Sequence, residues 1–314
     1  MNQYIKNLEE FPEVIQCESS NFCNAQCKMC PVWTDKMTRP RENMSRELFE
    51  KIVDGCINKP LKEFHLHQNG EPLCLGYWEL AARISYVKQK LPTVPVGFFT
   101  NGSLMSMVAS EKILQAKPDF ITFSFQGGTK EDFEEIMGLD FNRVYAHIQN
   151  FMSIHKKLNS TTRIQLLMLA QKNNETHIKE FTQLFTRLGI EHISTGGILN
   201  YGSALNNDKI KHRFQRPTGN RLNPCWRLWT NLVIASNGKA CLCCYDFDNK
   251  ITLGDVRENT IQEIWQGDEL KFYRKLHKKK WHDYSEVCKG CNYMEYTEIK
   301  ESYYGLFRGE EEND

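Results

Sequence analysis

Three cysteines, Cys23, Cys27 and Cys30, fall in the spacing Cys-x3-Cys-x2-Cys. Clustered thiolates of this number can hold a cubane four-iron four-sulfur (4Fe-4S) cluster and leave one iron without a protein ligand. An iron with an open position does chemistry, whereas a cluster saturated by four cysteines stores or passes electrons. A zinc site is the plainer alternative. It needs a fourth ligand, and neither Cys nor His lies between Cys30 and Cys56 to close it locally.

Stepping along the chain, strand-like and helix-like patterns alternate from about residue 14 to residue 200. The strands expected are 14–18, 63–68, 94–100, 119–126, 162–170 and 191–195. Helical faces lie between them. After Ser45, an expected N-cap, Leu48, Phe49, Ile52, Val53 and Cys56 mark one apolar face; Ile178, Phe181, Leu184, Phe185 and Leu188 mark another. Six such units imply an α/β fold with a parallel sheet and outer helices, a partial (β/α)6 TIM-like barrel. A closed eight-unit barrel needs more chain than remains. Within the strands Phe64 and Leu66 oppose His65 and His67, Ile121, Phe123 and Phe125 oppose Thr122, Ser124 and Gln126, and Ile164, Leu166 and Met168 oppose Arg163 and Gln165. The apolar faces are expected on the helices and the polar faces in a lumen that takes a polar ligand. Cys23, Cys27 and Cys30 follow the first strand, at the strand end where barrels of this kind place their sites.

With the turns after the strands added, the chain resembles the radical SAM superfamily. Asn69-Gly70-Glu71-Pro72 after the second strand is similar to that family's Gly-Gly-Glu motif, with Asn69 in place of the first glycine. Thr100-Asn101-Gly102 after the third strand is a further recurrent motif. The resemblance implies that the open iron binds the amino and carboxylate groups of S-adenosyl-L-methionine (SAM), and that one electron then generates a 5′-deoxyadenosyl radical. It also implies SAM contacts from Met29, Asn69, Gly70, Glu71, Pro72, Asn101, Ser124 and Gln165.

A second constellation follows residue 224. Cys225 precedes a gap, Gly238, four residues and Cys243; Cys288-Lys289-Gly290-Cys291 comes later. With Leu253-Gly254-Asp255-Val256 and Ile261-Gln262-Glu263-Ile264-Trp265 between them, this resembles the SPASM/Twitch type of C-terminal extension. A full extension of that type binds two auxiliary clusters. No cysteine follows Cys291, so the resemblance implies the short form, with one auxiliary 4Fe-4S cluster on Cys225, Cys243, Cys288 and Cys291. Cys241 and Cys244 compete with Cys243, which the Gly-x4-Cys spacing favours. A zinc ribbon is the alternative for these four. The domains expected are a core over 1–205, a bridge over 206–224, the auxiliary domain over 225–300 and an acidic, disordered tail over 301–314.

Other residues invite weaker readings. Glu18, at the end of the first strand, is a candidate for orienting substrate or SAM, or else a paired structural acid. His65 and His67 are candidate bases for an alcohol proton, since imidazole titrates near neutrality, or else interior hydrogen-bonding groups. Cys17, Cys56 and Cys74 read as small buried hydrophobes. The Lys278-Lys279-Lys280 run reads as a solvated helix face.

Composition sets the outer bounds. The chain has 314 residues, 40% hydrophobic and 25% charged, with net charge +1. Nothing in that balance points to nucleic acid or an anionic membrane. No apolar stretch is long enough to span a bilayer, and the opening residues are not of signal-peptide kind. Twelve cysteines therefore read as metal ligands in a reducing, cytoplasmic setting. Within the superfamily the chain is similar to the Twitch-containing alcohol dehydrogenases, which oxidise a carbinol of an aminocyclitol or sugar. The expected activity is that of a radical SAM oxidoreductase acting on a small polar substrate, with flavodoxin or ferredoxin as electron donor. The alternatives are a maturase that epimerises or cross-links a peptide, a sugar epimerase, and a non-catalytic metal-binding protein.

Overall fold

Strand β1 (Val14–Cys17) is buried along its whole length because it is paired on both edges. On one side lie β2 (Glu63–His65), β3 (Val96–Thr100), β4 (Phe120–Ser124), β5 (Arg163–Ala170) and β6 (His192–Gly197), in chain order and all parallel. On the other side β7 (Asn231–Ile234) runs parallel to β1, and β8 (Lys239–Cys241) and β9 (Thr252–Asp255) continue antiparallel. The result is one open sheet in the order β6-β5-β4-β3-β2-β1-β7-β8-β9. The structure, a computed structural model, describes residues 10–34, 36–171, 174–197, 201, 225–279, 281–289 and 291. The bridge expected over 206–224 and the tail over 301–314 lie outside the described residues.

The alternating patterns give the partial barrel expected of them, and the sheet is not closed. Helices α1 (Arg46–Asp54), α2 (Tyr77–Lys90), α3 (Met107–Gln115), α4 (Lys130–Met137), α5 (Phe141–Lys157) and α6 (Ile178–Thr186) alternate with the first six strands. Ser45 caps α1 by accepting from Leu48 N. Phe123 meets Phe151 of α5 edge-on at 5.2 Å, and Phe125 packs on Phe133 of α4 at 4.1 Å, so the apolar face of β4 is the helix-facing one. Burying faces of this kind is the main favourable term in folding.

The C-terminal segment adds α7 (Arg227–Thr230), α8 (Ile261–Trp265) and α9 (Asp268–Lys278). A reciprocal capping box starts α8: Thr260 Oγ1 accepts from Glu263 N, and the Glu263 carboxylate accepts from Thr260 N. The strands after Cys225, where the auxiliary domain was expected to begin, join β1 through β7 and lengthen the same sheet.

Candidate active site

The loop carrying Cys23, Cys27 and Cys30 leaves β1 and is pinned on three sides. Asn21 donates through Nδ2 to Pro40 O (2.8 Å) and accepts at Oδ1 from Glu42 N (2.7 Å). Gln26 N and Lys28 N donate to Met137 O and Ile136 O at the end of α4, each 2.9 Å. Glu71 N donates to Phe22 O (2.7 Å). Gly70, at φ +83°, lies so close that a Cβ there would sit 2.6 Å from Phe22 O. Only glycine fits this left-handed position against the backbone, so the turn after β2 is moulded onto the loop that presents the thiols.

Glu71 cinches the strand ends. Its Oε1 accepts from Leu73 N (3.1 Å) and Thr100 Oγ1 (2.8 Å), and its Oε2 accepts from Asn101 N (2.7 Å). A carboxylate has about four acceptor positions, and the described residues fill three of them, leaving one on Oε2 among those residues. Burial pushes this carboxyl up to about 7. Asn101 donates through Nδ2 to Asn24 Oδ1 (3.1 Å), inside the cysteine loop, and accepts at Oδ1 from Ser103 N and Oγ. Turns from two strands thus brace the segment holding Cys23 and Cys27. Pro72 opens the short turn that follows, Asn69 is buried with its N–H on Glu18, and Met29 packs into the main core.

Desolvation raises the Cys23 thiol to about 12 and Cys30 to about 11, and lifts Cys27 well above 9.0, with the thiols' mutual repulsion adding to the rise at Cys23 and Cys27. Thiols held like this stay protonated until a metal displaces the proton. Among the described residues no three Cys, His, Asp or Glu side chains close on one point as the ligands of a single ion would. Three thiols on one loop are the donor set a cubane takes, with each thiolate on its own iron. Cys74, read from sequence as a buried hydrophobe, is instead half-buried, close enough for Cys23 and Cys74 to feel one another's charge.

Below the loop the lumen carries the polar strand faces. Thr122 donates to Gln165 Oε1 (3.1 Å), and Gln165 Nε2, although buried, has no partner among the described residues. Ser124 is half-buried at the end of β4. His65 Nε2 lies 2.8 Å from Glu63 Oε2. His67 stacks on Phe99 at 4.3 Å, and burial, with His65 beside it, depresses its pKa well below 6.5, so it is neutral. Glu18 is fully buried. It forms a two-pronged ion pair with Arg39 (2.6 Å for Nη1–Oε2) and accepts from Asn69 N, Ser236 N and Ser236 Oγ. Its carboxylate is occupied by the protein's own donors, the paired acid of the two readings. Nothing in local sequence marked Arg39, Ser236 or Asn24 as partners, because each contact joins distant segments.

The second set of thiols comes from the segment after β8 and from the residues before β7 and after α9. Cys243 feels the charges of Cys225, Cys288 and Cys291. Burial raises Cys225 to about 12 and Cys288 to about 11. Cys241 turns the other way, donating to Asn249 Oδ1 (2.9 Å) on the side of Glu18 and Arg39. Cys244 also lies within electrostatic reach of Cys243, so proximity links Cys243 to Cys225, Cys244, Cys288 and Cys291 alike; Cys225, Cys243, Cys288 and Cys291 are the four expected from the spacing to hold one cluster.

Comparison with known proteins agrees with both halves. Residues 17–196 match the radical SAM superfamily, and residues 225–292 match SPASM, an iron–sulfur cluster-binding domain. An S-adenosyl-L-methionine-dependent 2-deoxy-scyllo-inosamine dehydrogenase of Niallia circulans is 30% identical over 292 residues, 91% of this chain and 94% of that one. The fold is similar to that of BtrN in complex with AdoMet and 2-DOIA, with TM-score 0.60, 18% identity and coverage of 90% of this chain and 93% of that one. It is also similar to Streptococcus suis SuiB bound to its precursor peptide SuiA, with TM-score 0.67, 14% identity and coverage of 85% and 68%. No helix among the described residues is long and apolar enough to cross a membrane.

Proposed function

We propose that this chain, which belongs to the radical SAM superfamily, is a dehydrogenase that oxidises an alcohol carbon of an aminocyclitol or a related sugar. It is a radical SAM enzyme with a C-terminal iron–sulfur domain; the substrate and the step are the proposal. One observation supports it: Cys243, which follows the strands joined to β1, lies within electrostatic reach of Cys225, Cys288 and Cys291. Cys23, Cys27 and Cys30 would hold a cluster that, with SAM, would supply the hydrogen-abstracting radical, and the four later thiols would hold a cluster able to take up one electron.

The chain's own residues do the rest. Glu71 and Asn101 hold the turns that frame the SAM site, with one acceptor position of Glu71 Oε2 left for a cation. Gln165 presents an unclaimed amide N–H pair from β5, suited to a substrate hydroxyl or to SAM. His67, neutral because burial disfavours its protonated form, is suited to accepting a hydrogen bond from a carbinol hydroxyl rather than to holding the proton. Removal of a hydrogen atom from a carbinol carbon and a proton from its oxygen leaves a ketyl radical that must give up one electron to become the ketone, and a cluster saturated by four thiolates would fit as the acceptor of that electron. The near full-length likeness to an aminocyclitol dehydrogenase supports the substrate class.

The test is anaerobic turnover of 2-deoxy-scyllo-inosamine deuterated at the carbinol carbon. Deuterium is expected in 5′-deoxyadenosine together with ketone formation. Turnover of the ketone with no deuterium transfer rejects the abstraction step; no ketone from any aminocyclitol or sugar rejects the substrate class.

A further inference from the structure

Helix α9 aims one buried histidine at the later thiols. Leu270, Arg274 and His277 are buried along this helix, and Arg274 fastens it by donating to Leu228 O (2.9 Å) and Trp265 O (3.1 Å). His277 Nδ1 lies 3.2 Å from the backbone N of Cys225, and its Nε2 lies 3.4 Å from Cys288 Sγ. The first contact decides the second. A backbone N–H only donates, so Nδ1 must be the acceptor and carries no proton. The neutral ring then bears its hydrogen on Nε2, which makes Nε2–H a donor to the Cys288 sulfur.

We propose that His277 is a positioning residue for the auxiliary cluster: it spans Cys225 and Cys288, and its N–H···S bond raises the cluster's reduction potential. Reduction adds negative charge to the cluster and its thiolates, and a donor aimed at one of those sulfurs stabilises the reduced form. The effect makes the site a better electron acceptor, as the proposed oxidation requires. This inference rests on Cys225 and Cys288 being ligands but not on the identity of the substrate.

The experiment uses full-length, iron-loaded protein in which Cys23, Cys27 and Cys30 are replaced by Ala, so that only the auxiliary cluster remains. Potentiometry followed by electron paramagnetic resonance is expected to show that His277→Phe shifts the reduction equilibrium about tenfold toward the oxidised form, about 59 mV for one electron. His277→Gln keeps an acceptor and a donor and is expected to stay within about threefold of the parent, as retention of the N–H···S bond requires. An unchanged midpoint in His277→Phe overturns the proposal. Because that variant risks losing its iron, the parent is also grown with heavy-nitrogen histidine. Pulsed spectra of the reduced cluster are expected to show one weak nitrogen coupling. No coupling, or a strong one typical of direct iron ligation, overturns the proposal. A parent that holds no iron at all refutes the ligand assignment itself, which separates that failure from an error about His277.

Discussion

The side-chain amide of Gln68 donates a 2.8 Å hydrogen bond to the carbonyl of Cys244. Gln68 immediately precedes the Asn69-Gly70-Glu71-Pro72 turn, and Cys244 immediately follows Cys243. One hydrogen bond therefore joins the two cysteine centres across most of the chain. Gln68→Ala is expected to cost about 1 kcal/mol of stability. Iron content should stay at the parent level while turnover falls. Parent-like turnover in a variant with full iron would show that the junction has no part in the reaction.

Gly70→Ala tests the moulded turn. A Cβ there meets both Phe22 O (2.6 Å) and Ser20 O (2.7 Å) at a backbone angle that alanine resists. Strain and clash together are expected to cost about 3 kcal/mol or more. The displaced loop should lose its cluster while the later four thiols keep theirs, so iron per chain should fall by about half. Full iron loading in the folded variant would contradict the fit described.

Glu71 imposes a pH dependence on the protein before iron and SAM are added. Burial raises its carboxyl from 4.5 to about 7. Between those values the folded state binds more protons than the unfolded chain, so stability is greatest at the acid end of the window and declines as pH rises through it. The decline from this one group is about 3 kcal/mol. Glu71→Gln should remove that slope. Denaturant unfolding of parent and variant at both ends of the window measures the difference, and identical pH profiles would sink the assignment.

Of the three neighbouring cysteines Cys241, Cys243 and Cys244, Cys243 is expected to be the auxiliary ligand. Cys243→Ala should lose about half of the iron and sulfide, whereas Cys241→Ala and Cys244→Ala should keep both clusters. Loss of iron in Cys241→Ala would contradict the orientation of its thiol toward Asn249.

Glu18 and Arg39 form a buried pair, and removing one partner strands the other. Glu18→Ala and Arg39→Ala are each expected to cost about 3–5 kcal/mol. The double variant should cost much less than the sum, because the second substitution removes the stranded charge. Additive losses, or a Glu18→Gln enzyme of normal stability with a raised substrate KM alone, would return Glu18 to a substrate-orienting role.

Local order was legible wherever a period or spacing encodes it. The alternation in Ile121, Phe123 and Phe125 placed the apolar face of β4 on the helices, and Ser45 announced the start of α1. The strand observed at Glu63–His65 is shorter than the run expected to Gln68, because the chain bends after Leu66 toward the turn over Phe22. The two cysteine sets were visible as spacings. Their supports were not: Asn24 with Asn101, Glu18 with Arg39 and Ser236, and His277 with Cys225 and Cys288 leave no periodic trace.

By itself, then, the sequence determined which thiols are available, which faces of the strands are apolar and which turns follow them, since these depend on neighbours along the chain. Tertiary structure decided that the sheet stays open and runs on through β7 from β1, that the Cys241 thiol turns toward Asn249 while Cys243 lies within electrostatic reach of Cys225, Cys288 and Cys291, and that Glu18 is saturated. Those outcomes depend on backbone edges and buried charges from distant segments finding one another, and a hydrogen bond or ion pair that must be satisfied on burial is a property of the packed molecule.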